Sequence, residues 1–505
     1  MMRRFLFRRL VSRLFPVLAG TAFAPVLLAV QVPPPVKPAK DGTLVYEVGA
    51  RGDRVPDFSH AGYRGGGVTI PIVPARVRVA PVDGDDGERI QAALDYVATL
   101  SPDANGFRGA VQLEAGTYEI AGQLRISASG VVLRGAGTDE NGTVLIATGT
   151  DRRALVRIAG KNDRTTVGMS ALVADDYVPV GSTRIRLNDT HGLKVGTSVL
   201  IERPSPAEWL ARIGMQTAPA RSPFQWRPGK VNVIWERTIT AIAGSEITLD
   251  APLTTALESS LGVATVTTLS WPGRIEQVGV ENLRCVSVYD ATNPRDEQHA
   301  WEAVRLENVR DAWVRDIAAY HFAGSVVYVD ANASRVSVQD VISREPVSEL
   351  AGHRRTTFHT SGQLTLFLRC RAEDGRNDFT VGYQSAGPNV FLECHAERSS
   401  GFSGSIGSWA SGALFDNISI DGGMLRLDNL ESWNQGVGWA AANSVIWEAS
   451  AGHIIVRSPP GATNWAVAVW GMYTGDGAWC KTSEFAAPSS LYRAQLTERL
   501  GEPSL

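Results

Sequence analysis

The chain has 505 residues, of which 44% are hydrophobic and 20% charged, and its 50 glycines indicate many tight turns. It is too long for one compact core of ordinary depth, so we expect several domains or a repetitive architecture. Taking the five arginines of the first fifteen residues from the 49 basic residues leaves 44, against 52 acidic residues. This balance argues against a nucleic-acid-binding protein, which would need a basic stripe.

The N-terminus has the pattern of an export signal. MMRRFLFRRLVSRLF carries five arginines and no acid, and PVLAGTAFAPVLLAV is a run of small and apolar residues. These are the n- and h-regions of a secretory signal. We therefore predict a signal peptide over 1–31, a proline-rich linker over 32–42, and an exported protein, periplasmic or extracellular, without a stable membrane span once the signal is removed. A retained N-terminal anchor is the alternative.

Residues 43–164 are predicted to form an N-terminal cap and the first coils of a stacked β-structure. In GDDGERIQAALDYVATL, Ile90, Leu94 and Val97 fall on one apolar stripe, the pattern of a short helix. The segments GAVQLEAGTYEI, GQLRI, GVVLRGAG and GTVLIATG follow and have the pattern of short strands separated by glycine. We expect the helix to cap this end.

Residues 165–270 break this pattern and are predicted to be an inserted, small antiparallel β-domain. DDYVPVGSTRIRLNDTHGLKVGTSVLIERP and ERTITAIAGSEITLDAPL are typical of longer strands joined by hairpin turns. A long loop with tryptophan and proline lies between them. We expect the insertion to overhang one side of the main structure.

Residues 271–460 carry an internal repeat. Four segments each show a short alternating strand followed by turn residues: VSVQDVIS (336–343), LTLFLRCRAED (364–374), NVFLECHAERS (389–399) and ALFDNISIDGG (413–423). Cys370, Cys394 and Ile418 stand 24 residues apart, and the 30-residue step from Asp340 to Cys370 places a six-residue insertion in REPVSELAGH. Such a period, without helical spacing, predicts an all-β fold, the right-handed parallel β-helix, whose coils stack to bury their apolar faces.

Residues 461–505 are predicted to form a C-terminal cap and tail. GATNWAVAVWGMYTGDGAWC is apolar and aromatic, and the polar segment SLYRAQLTERLGE has the composition of a short helix.

The cysteines argue against a disulfide framework. Cys285, Cys370, Cys394 and Cys480 are too few and too scattered for a disulfide scaffold or a CxxC metal site. We predict no metal ligand and no cofactor, although a bound Ca²⁺ that assists catalysis remains open. We also expect a monomer.

Two motifs carry a resemblance to a known family. VQLEAGTY follows the predicted capping helix, and VVLRGAG forms the next glycine turn. Here the chain resembles the pectate-lyase-like superfamily of parallel β-helix proteins, over roughly 40–160 and 275–460. The resemblance implies the fold and an exported polysaccharide-active protein. It does not select a reaction, because the fold hosts lyases, hydrolases, isomerases and phage tailspikes.

The stretch HRRTTFHTSGQLTLFLRC (353–370) concentrates basic and imidazole side chains ahead of one strand. With a 24-residue step, residue i lies beside i+24 on the next coil, about 4.8 Å away. This step predicts Arg354 beside Asp378 and His359 beside Tyr383, with His359 and Tyr383 facing solvent. The same alternation predicts four residues on the core side: Tyr328, Phe358, Gly382 and Ile406.

An outward histidine beside a tyrosine, with arginine close by, suits β-elimination of a uronate. The C5 proton becomes acidic enough to remove only when the C6 carboxylate is neutralised. We predict His359 as the base, Tyr383 as the acid, and Arg354 or Arg355 as the group that neutralises the carboxylate. Asp378 is included among the catalytic candidates, although a structural salt bridge between Arg354 and Asp378 is the alternative.

Four further residues are predicted to bind substrate. Gln363, Arg376 and Asn377 could contact sugar hydroxyls, or else satisfy turns. Trp409 lies on an outward turn of the next coil and could stack on a pyranose ring, since aromatic faces pack well against sugars. Packing at the end of the β-helix is the alternative for the tryptophans.

These observations predict an exported polysaccharide-active enzyme, a lyase that cleaves an acidic glycan by β-elimination. The first alternative is a β-helix glycoside hydrolase with paired carboxylates, which must lie about 5 to 10 Å apart. The second alternative is a non-catalytic glycan-binding or adhesin-type surface protein. In each case the expected partner is a polysaccharide and not a nucleic acid.

Overall fold

The computed structural model shows the predicted right-handed parallel β-helix, with an inserted antiparallel β-domain and a capping helix. The structure describes residues 31–216, 226–432 and 437–501. Apart from Gln31, the predicted signal peptide therefore lies outside the described residues.

The N-terminal part of the chain builds the first coils. Its strands are β1 (Val36–Pro38), β2 (Leu44–Tyr46), β3 (Ala75–Val79), β4 (Gly109–Leu113), β5 (Gly116–Ile120), β6 (Leu124–Ile126), β7 (Val131–Arg134), β8 (Thr143–Ala147) and β9 (Ala154–Ala159). Helix α1 (Gly87–Thr99) closes the N-terminal end. Ile90, Leu94 and Val97 are buried against the first coils, as the apolar stripe predicts.

The insertion follows β9 and forms its own antiparallel structure. Its elements are β10 (Thr165–Leu172), β11 (Tyr177–Val178), β12 (Arg184–Arg186), β13 (Ser198–Arg203), α2 (Ala207–Arg212), β14 (Val233–Ala243), β15 (Glu246–Leu249), β16 (Leu257–Glu258) and β17 (Thr265–Ser270). Six of these strands form one antiparallel sheet in the order β10-β17-β13-β14-β15-β12. The two-stranded pair β11–β16 lies beside it.

The main part of the β-helix follows. Its strands are β18 (Ile275–Ser287), β19 (Glu302–Glu307), β20 (Val309–Tyr320), β21 (Ser325–Val329), β22 (Ser334–Arg344), β23 (Phe358–Thr360), β24 (Leu366–Leu368), β25 (Arg371–Glu373), β26 (Phe379–Val381), β27 (Ala386–Leu392), β28 (His395–Glu397), β29 (Phe402–Ser405), β30 (Ala410–Asp416), β31 (Ser419–Leu427), β32 (Ala441–Ala442), β33 (Val445–Val456), β34 (Trp465–Thr474) and β35 (Ala478–Cys480). Coils therefore continue to Cys480, beyond the predicted end at 460.

Each coil contributes to three parallel sheets. The first sheet contains β4, β7, the starts of β18, β20 and β22, and then β24, β27 and β30. The second contains β5, β8, the ends of β18, β20 and β22, and then β25 and β28. The third sheet contains β6, β9, β19, β21, β23, β26 and β29.

The 24-residue period is confirmed where the coils are regular. It links Arg310 to Ser334, Arg371 to His395 and Thr380 to Gly404 as register partners. The same step stacks phenylalanines inside the β-helix. The ring centroids of Phe367 and Phe391 lie 4.7 Å apart, and the Phe391 and Phe415 centroids lie 5.3 Å apart. Equivalent positions thus form aromatic ladders along the core.

The inserted domain is joined to the β-helix by one buried arginine. Arg237 of β14 is 1% exposed and donates to the carbonyl oxygens of Ala251, Pro252 and Gly387, the last at 2.6 Å. Because Gly387 belongs to β27, this contact ties the insertion to the β-helix. The insertion therefore overhangs the turns that lead from the third sheet to the first.

Both ends of the described chain pack on the outer face of the first sheet. Segment 32–42 was predicted to be a linker, but Val36 is fully buried and β1 pairs with β2. Helix α3 (Leu491–Leu500) covers the same face, and Leu491 and Leu496 share an apolar cluster with Val36. The linker interpretation fails because the apolar outer face of this sheet requires a cover.

All four cysteines are buried free thiols. Among the described residues, no helix is long and apolar enough to cross a membrane.

Candidate functional site

The predicted pairing of His359 with Tyr383 is wrong. The register partner of His359 on the next coil is Thr380, because Phe358 pairs with Phe379 after a step of only 21 residues. The turn between β26 and β27 is three residues longer than the turn between β23 and β24, and these three residues restore the 24-residue step in the first sheet. The uniform step therefore fails at the stretch that was predicted to be catalytic.

His359 occupies an outward position of the third sheet but is only 3% exposed. Its ring stacks on Tyr328 with centroids 4.6 Å apart. Its Nδ1 lies 2.9 Å from Thr380 Oγ1 and its Nε2 lies 3.0 Å from Ser361 Oγ. Burial lowers the pKa of His359 to about 3. A buried imidazole with both nitrogens bonded and so low a pKa is a poor general base at neutral pH.

Tyr328 and Tyr383 also differ from the prediction. Tyr328, expected in the core, is the outward register neighbour of His359 and is half-buried. Tyr383 is half-buried in the turn after β26 and packs beside an apolar cluster that includes Leu430. Burial raises the pKa of Tyr383 to about 12.

The predicted cross-coil pair of Arg354 and Asp378 is not formed. Arg354 instead binds both carboxylate oxygens of Glu297, at 2.7 and 3.1 Å. Asp378 is fully buried and accepts from Thr357 Oγ1 at 2.8 Å, and burial raises its pKa to about 6. Arg355 donates to the carbonyl oxygens of Ser348 and Asp374. These three side chains therefore serve the packing of loops and coils.

The predicted substrate-binding residues Gln363, Arg376 and Asn377 also have structural partners. The Gln363 side chain accepts from the backbone NH of Glu236 at 3.1 Å and donates to the Ile234 carbonyl oxygen at 3.1 Å, which fixes β14 to the β-helix. Arg376 donates to the carbonyl oxygen of Gly352 at 2.6 Å. Asn377 is 4% exposed and lies between coils.

Trp409 is not an outward sugar platform. It is 2% exposed and lies edge-on to Trp209 of the inserted domain, with ring centroids 4.8 Å apart. Its Nε1 donates to Thr255 Oγ1 at 3.3 Å. Trp409 therefore holds the insertion against the β-helix.

The structure instead brings charged groups together on the outer face of the third sheet. One outward position runs across successive coils through the register partners Arg125, Arg157, Arg305, Tyr328, His359 and Thr380. The guanidinium of Arg305 lies over the Tyr328 ring, 4.4 Å from its centroid. This row places cationic and aromatic groups along the direction in which the coils stack.

Three carboxylates meet on the guanidinium of Arg305. Arg305 Nη1 lies 2.8 Å from Glu302 Oε1, and Nη2 lies 3.3 Å from Asp330 Oδ2. Arg305 Nε donates to Glu307, which Arg157 also contacts. We call Glu302, Arg305, Glu307 and Asp330 the Arg305 cluster. Because the guanidinium is rigid and planar, the Glu302 and Asp330 oxygens that it binds can be no more than about 8 Å apart.

The environment separates the pKa values of two of these carboxylates. Burial raises the pKa of Glu302 above its ordinary value. Burial alone would also raise the pKa of Glu307, but hydrogen bonds from Arg157 and Arg305 outweigh it and hold that pKa below its ordinary value. Carboxyl groups whose pKa values diverge are suited to different roles in acid–base chemistry.

A groove of about 230 Å³ continues from the Arg305 cluster toward the inserted domain. Its walls include Ser361, Trp271 and Tyr383. Ser361 lies on the coil next to Asp330, since its backbone NH donates to the Val329 carbonyl oxygen at 2.9 Å. The groove thus combines nearby carboxylates with aromatic rings that could stack on sugars.

Sequence reasoning missed this cluster, although a signal was present. The segment EAVRLE (302–307) places Glu302, Arg305 and Glu307 on one short strand, and the strand VVYVD ends at Asp330. Alternation places Arg305 and Glu307 on the same face of a strand. The contact with Asp330 needs the register between coils. Among the described residues, no group of three or more His, Cys, Asp or Glu side chains is arranged to hold a metal ion.

No family model matches the chain, and no curated protein matches it. Solved structures similar to it include the tailspike protein gp49 from Pseudomonas phage LKA1, at 13% identity, 78% coverage of this chain, 70% of that chain and a TM-score of 0.39. The alginate lyase from Paenibacillus sp. str. FPU-7 shows 9% identity, 82% and 100% coverage and a TM-score of 0.39. The endo-xylogalacturonan hydrolase from Aspergillus tubingensis shows 10% identity, 80% and 94% coverage and a TM-score of 0.38.

Proposed function

We propose that the chain is a polysaccharide-active glycoside hydrolase whose reaction takes place at the Arg305 cluster. The observation that supports this proposal is the convergence of Glu302, Glu307 and Asp330 on one guanidinium, on an open face of the β-helix. Hydrolysis of a glycosidic bond needs two carboxyl groups about 5 to 10 Å apart, one to donate and one to accept a proton or attack carbon.

Glu302 is assigned as the general acid. Its side chain is 16% exposed, and burial raises its pKa, so the protonated form persists to higher pH than for a free glutamate. In the reaction Glu302 gives its proton to the glycosidic oxygen as the bond from that oxygen to the anomeric carbon breaks.

Asp330 is assigned as the base. It is 30% exposed and its contact with Arg305, at 3.3 Å, is long, so it is the more accessible carboxylate. It takes the proton of the water that attacks the anomeric carbon. Glu307, held by Arg157 and Arg305, is assigned as a positioning residue that fixes the guanidinium.

Hydrolysis fits this face better than the predicted β-elimination. Elimination needs a cation that is free to neutralise the uronate carboxylate. Arg157, Arg305 and Arg354 are each already paired with glutamate. The predicted base, His359, is buried and has a low pKa.

The test is turnover of a panel of acidic and neutral polysaccharides, followed by reducing-end formation and by absorbance near 235 nm. Hydrolysis produces reducing ends without that absorbance, whereas elimination produces an unsaturated product that absorbs. We expect E302Q and D330N each to lower turnover by about two or more orders of magnitude. Matched controls are E397Q and D374N, which alter exposed ion pairs with Arg371 and Arg398.

Three outcomes contradict the proposal. Absorbance near 235 nm in step with product would assign elimination instead. Full activity of E302Q with an intact fold would remove the general acid. Retention of a glycan without any turnover would favour the non-catalytic binding alternative.

A further inference from the structure

A second cavity lies where the N-terminal segment, the inserted domain and the last coils meet. Its volume is about 300 Å³, and its walls include Arg51, Arg203 and Asn443, one from each part. It shares no lining residue with the groove beside the Arg305 cluster. This volume is at the small end of the range for ligand pockets and suits a ligand of one or two sugar rings.

Arg203 is the unusual residue in this cavity. It is 4% exposed, and its guanidinium lies over the Trp209 ring, 4.3 Å from the centroid. Nε donates to the Ala256 carbonyl oxygen at 3.0 Å and Nη1 to the Pro204 carbonyl oxygen at 3.2 Å. Within the described ranges Arg203 forms no ion pair, and its Nη2 makes no hydrogen bond. A buried charge without a counter-charge is costly, so such a group calls for an anion.

The other charged groups around the cavity are already paired. Glu258 Oε2 accepts from Arg51 at 3.1 Å and from Arg212 at 3.0 Å. Asp53 accepts from the Tyr177 hydroxyl at 2.6 Å. Three arginines therefore face two carboxylates, which leaves one positive charge.

We propose that this cavity binds a monosaccharide unit that carries a single carboxylate, a uronic acid, with the carboxylate on Arg203. One uncompensated guanidinium matches one carboxylate, and charge-assisted hydrogen bonds of this kind are about twice as strong as neutral ones. Asp53, Thr255 and Thr463 also line the cavity and supply oxygen atoms for sugar hydroxyls. This binding does not depend on the hydrolysis proposed above, since the two sites are separate.

The experiment is calorimetric titration of the intact protein with D-galacturonate and D-glucuronate, with neutral D-galactose and inorganic phosphate as comparison ligands. We expect a uronate to bind, galactose to bind at least tenfold more weakly, and R203M to weaken uronate binding at least tenfold. The matched control is R184M, which removes an exposed arginine of the same inserted domain and should leave uronate binding unchanged.

A second measurement does not require the R203M protein to fold. In the wild-type protein, uronate should slow hydrogen exchange at 203–204, 255–258 and 460–463. E302Q should show the same protection, because it alters only the other site. Protection confined to 302–330, equal binding of galactose and galacturonate, phosphate binding without uronate binding, or no uronate binding overturns the proposal.

Discussion

The rings of Tyr328 and His359 stack with their centroids 4.6 Å apart and their planes inclined by 30°. This contact joins two successive coils at an outward position, and the histidine is nonetheless buried. Gly382 on the following coil leaves room for it, because a side-chain carbon there would lie 2.7 Å from His359 Cε1. The histidine is therefore a packing element between coils.

We expect H359A to destabilise the protein by about 2 to 4 kcal/mol, because it leaves a cavity and removes the partners of two buried hydroxyls. Denaturant unfolding measures this loss. G382A should destabilise by about 1 to 3 kcal/mol through overpacking against the ring. A neutral H359A would contradict the packing role.

His359 also predicts a pH dependence. Burial lowers its pKa to about 3, below the ordinary value of 6.5. The folded protein therefore binds the proton more weakly than the unfolded chain does. Its contribution to stability is present above about pH 6.5 and is lost as pH falls toward 3. H359Q should lose less stability over that range than the wild type, as measured by unfolding at each pH.

Asp416 predicts the opposite dependence. It is fully buried at the first turn of α3, where it accepts from Ser490 Oγ and from the backbone NH of Tyr492, both at 2.8 Å. Burial raises its pKa to about 7 from 3.8. The stability it contributes is present below about pH 4 and is lost as pH rises through 7.

We therefore expect D416N to remove part of the fall in melting temperature between pH 5 and 8. The exposed acid variant D374N is the control, since its carboxylate lies in a surface ion pair with Arg398. If D416N and the wild type show parallel pH profiles, Asp416 does not titrate as described.

The joint between the insertion and the β-helix gives another prediction. R237M leaves the carbonyl oxygens of Ala251, Pro252 and Gly387 without donors, and each unpaired buried group costs about 1 to 3 kcal/mol. We expect faster proteolysis within 165–270, followed by mass spectrometry of the fragments. R184M should be cleaved at the wild-type rate, and equal cleavage of R237M and R184M would contradict the prediction.

Trp409 distinguishes packing from sugar binding. We expect W409A to destabilise the protein by about 3 to 5 kcal/mol, because a fully buried ring is lost from the interface with Trp209. W409F should retain more of the stability. A W409A protein of normal stability with weakened glycan binding would restore the sugar-platform interpretation.

The proposed general acid predicts the alkaline side of the activity profile. Because burial raises the pKa of Glu302, turnover should decline with rising pH at a higher value than the ordinary pKa of a glutamate would give. The measurement is turnover against pH with the best substrate of the panel. In E302Q the residual activity should lack this decline.

The fold was predictable because its signal repeats. The step of 24 residues from Cys370 to Cys394 follows from the need of each coil to bury the same apolar positions, so many positions report one period. The candidate site was not, because it depends on the register of individual coils. Three extra residues in the turn after β26 replace Tyr383 by Thr380 beside His359.

Burial of the outward positions was also beyond the sequence. Alternation places Arg305 and His359 on the same face, yet one is 26% exposed and the other is 3% exposed. The difference comes from the neighbouring coils. Arg305 meets charged partners on the surface, whereas His359 is packed between Tyr328 and Thr380.

The cover of the first sheet sets an order for biosynthesis. The backbone NH of Phe58 donates to Gln495 Oε1 across 437 positions of the chain. At ribosomal speeds of about 5 to 20 residues per second, the early segment waits roughly 20 to 90 s for its partner. Until residues 491–500 have been synthesised, Val36 and Phe58 lack the helix that completes their cluster. A translation product that stops short of α3 would thus leave an apolar face uncovered, where chaperones and proteases can recognise it.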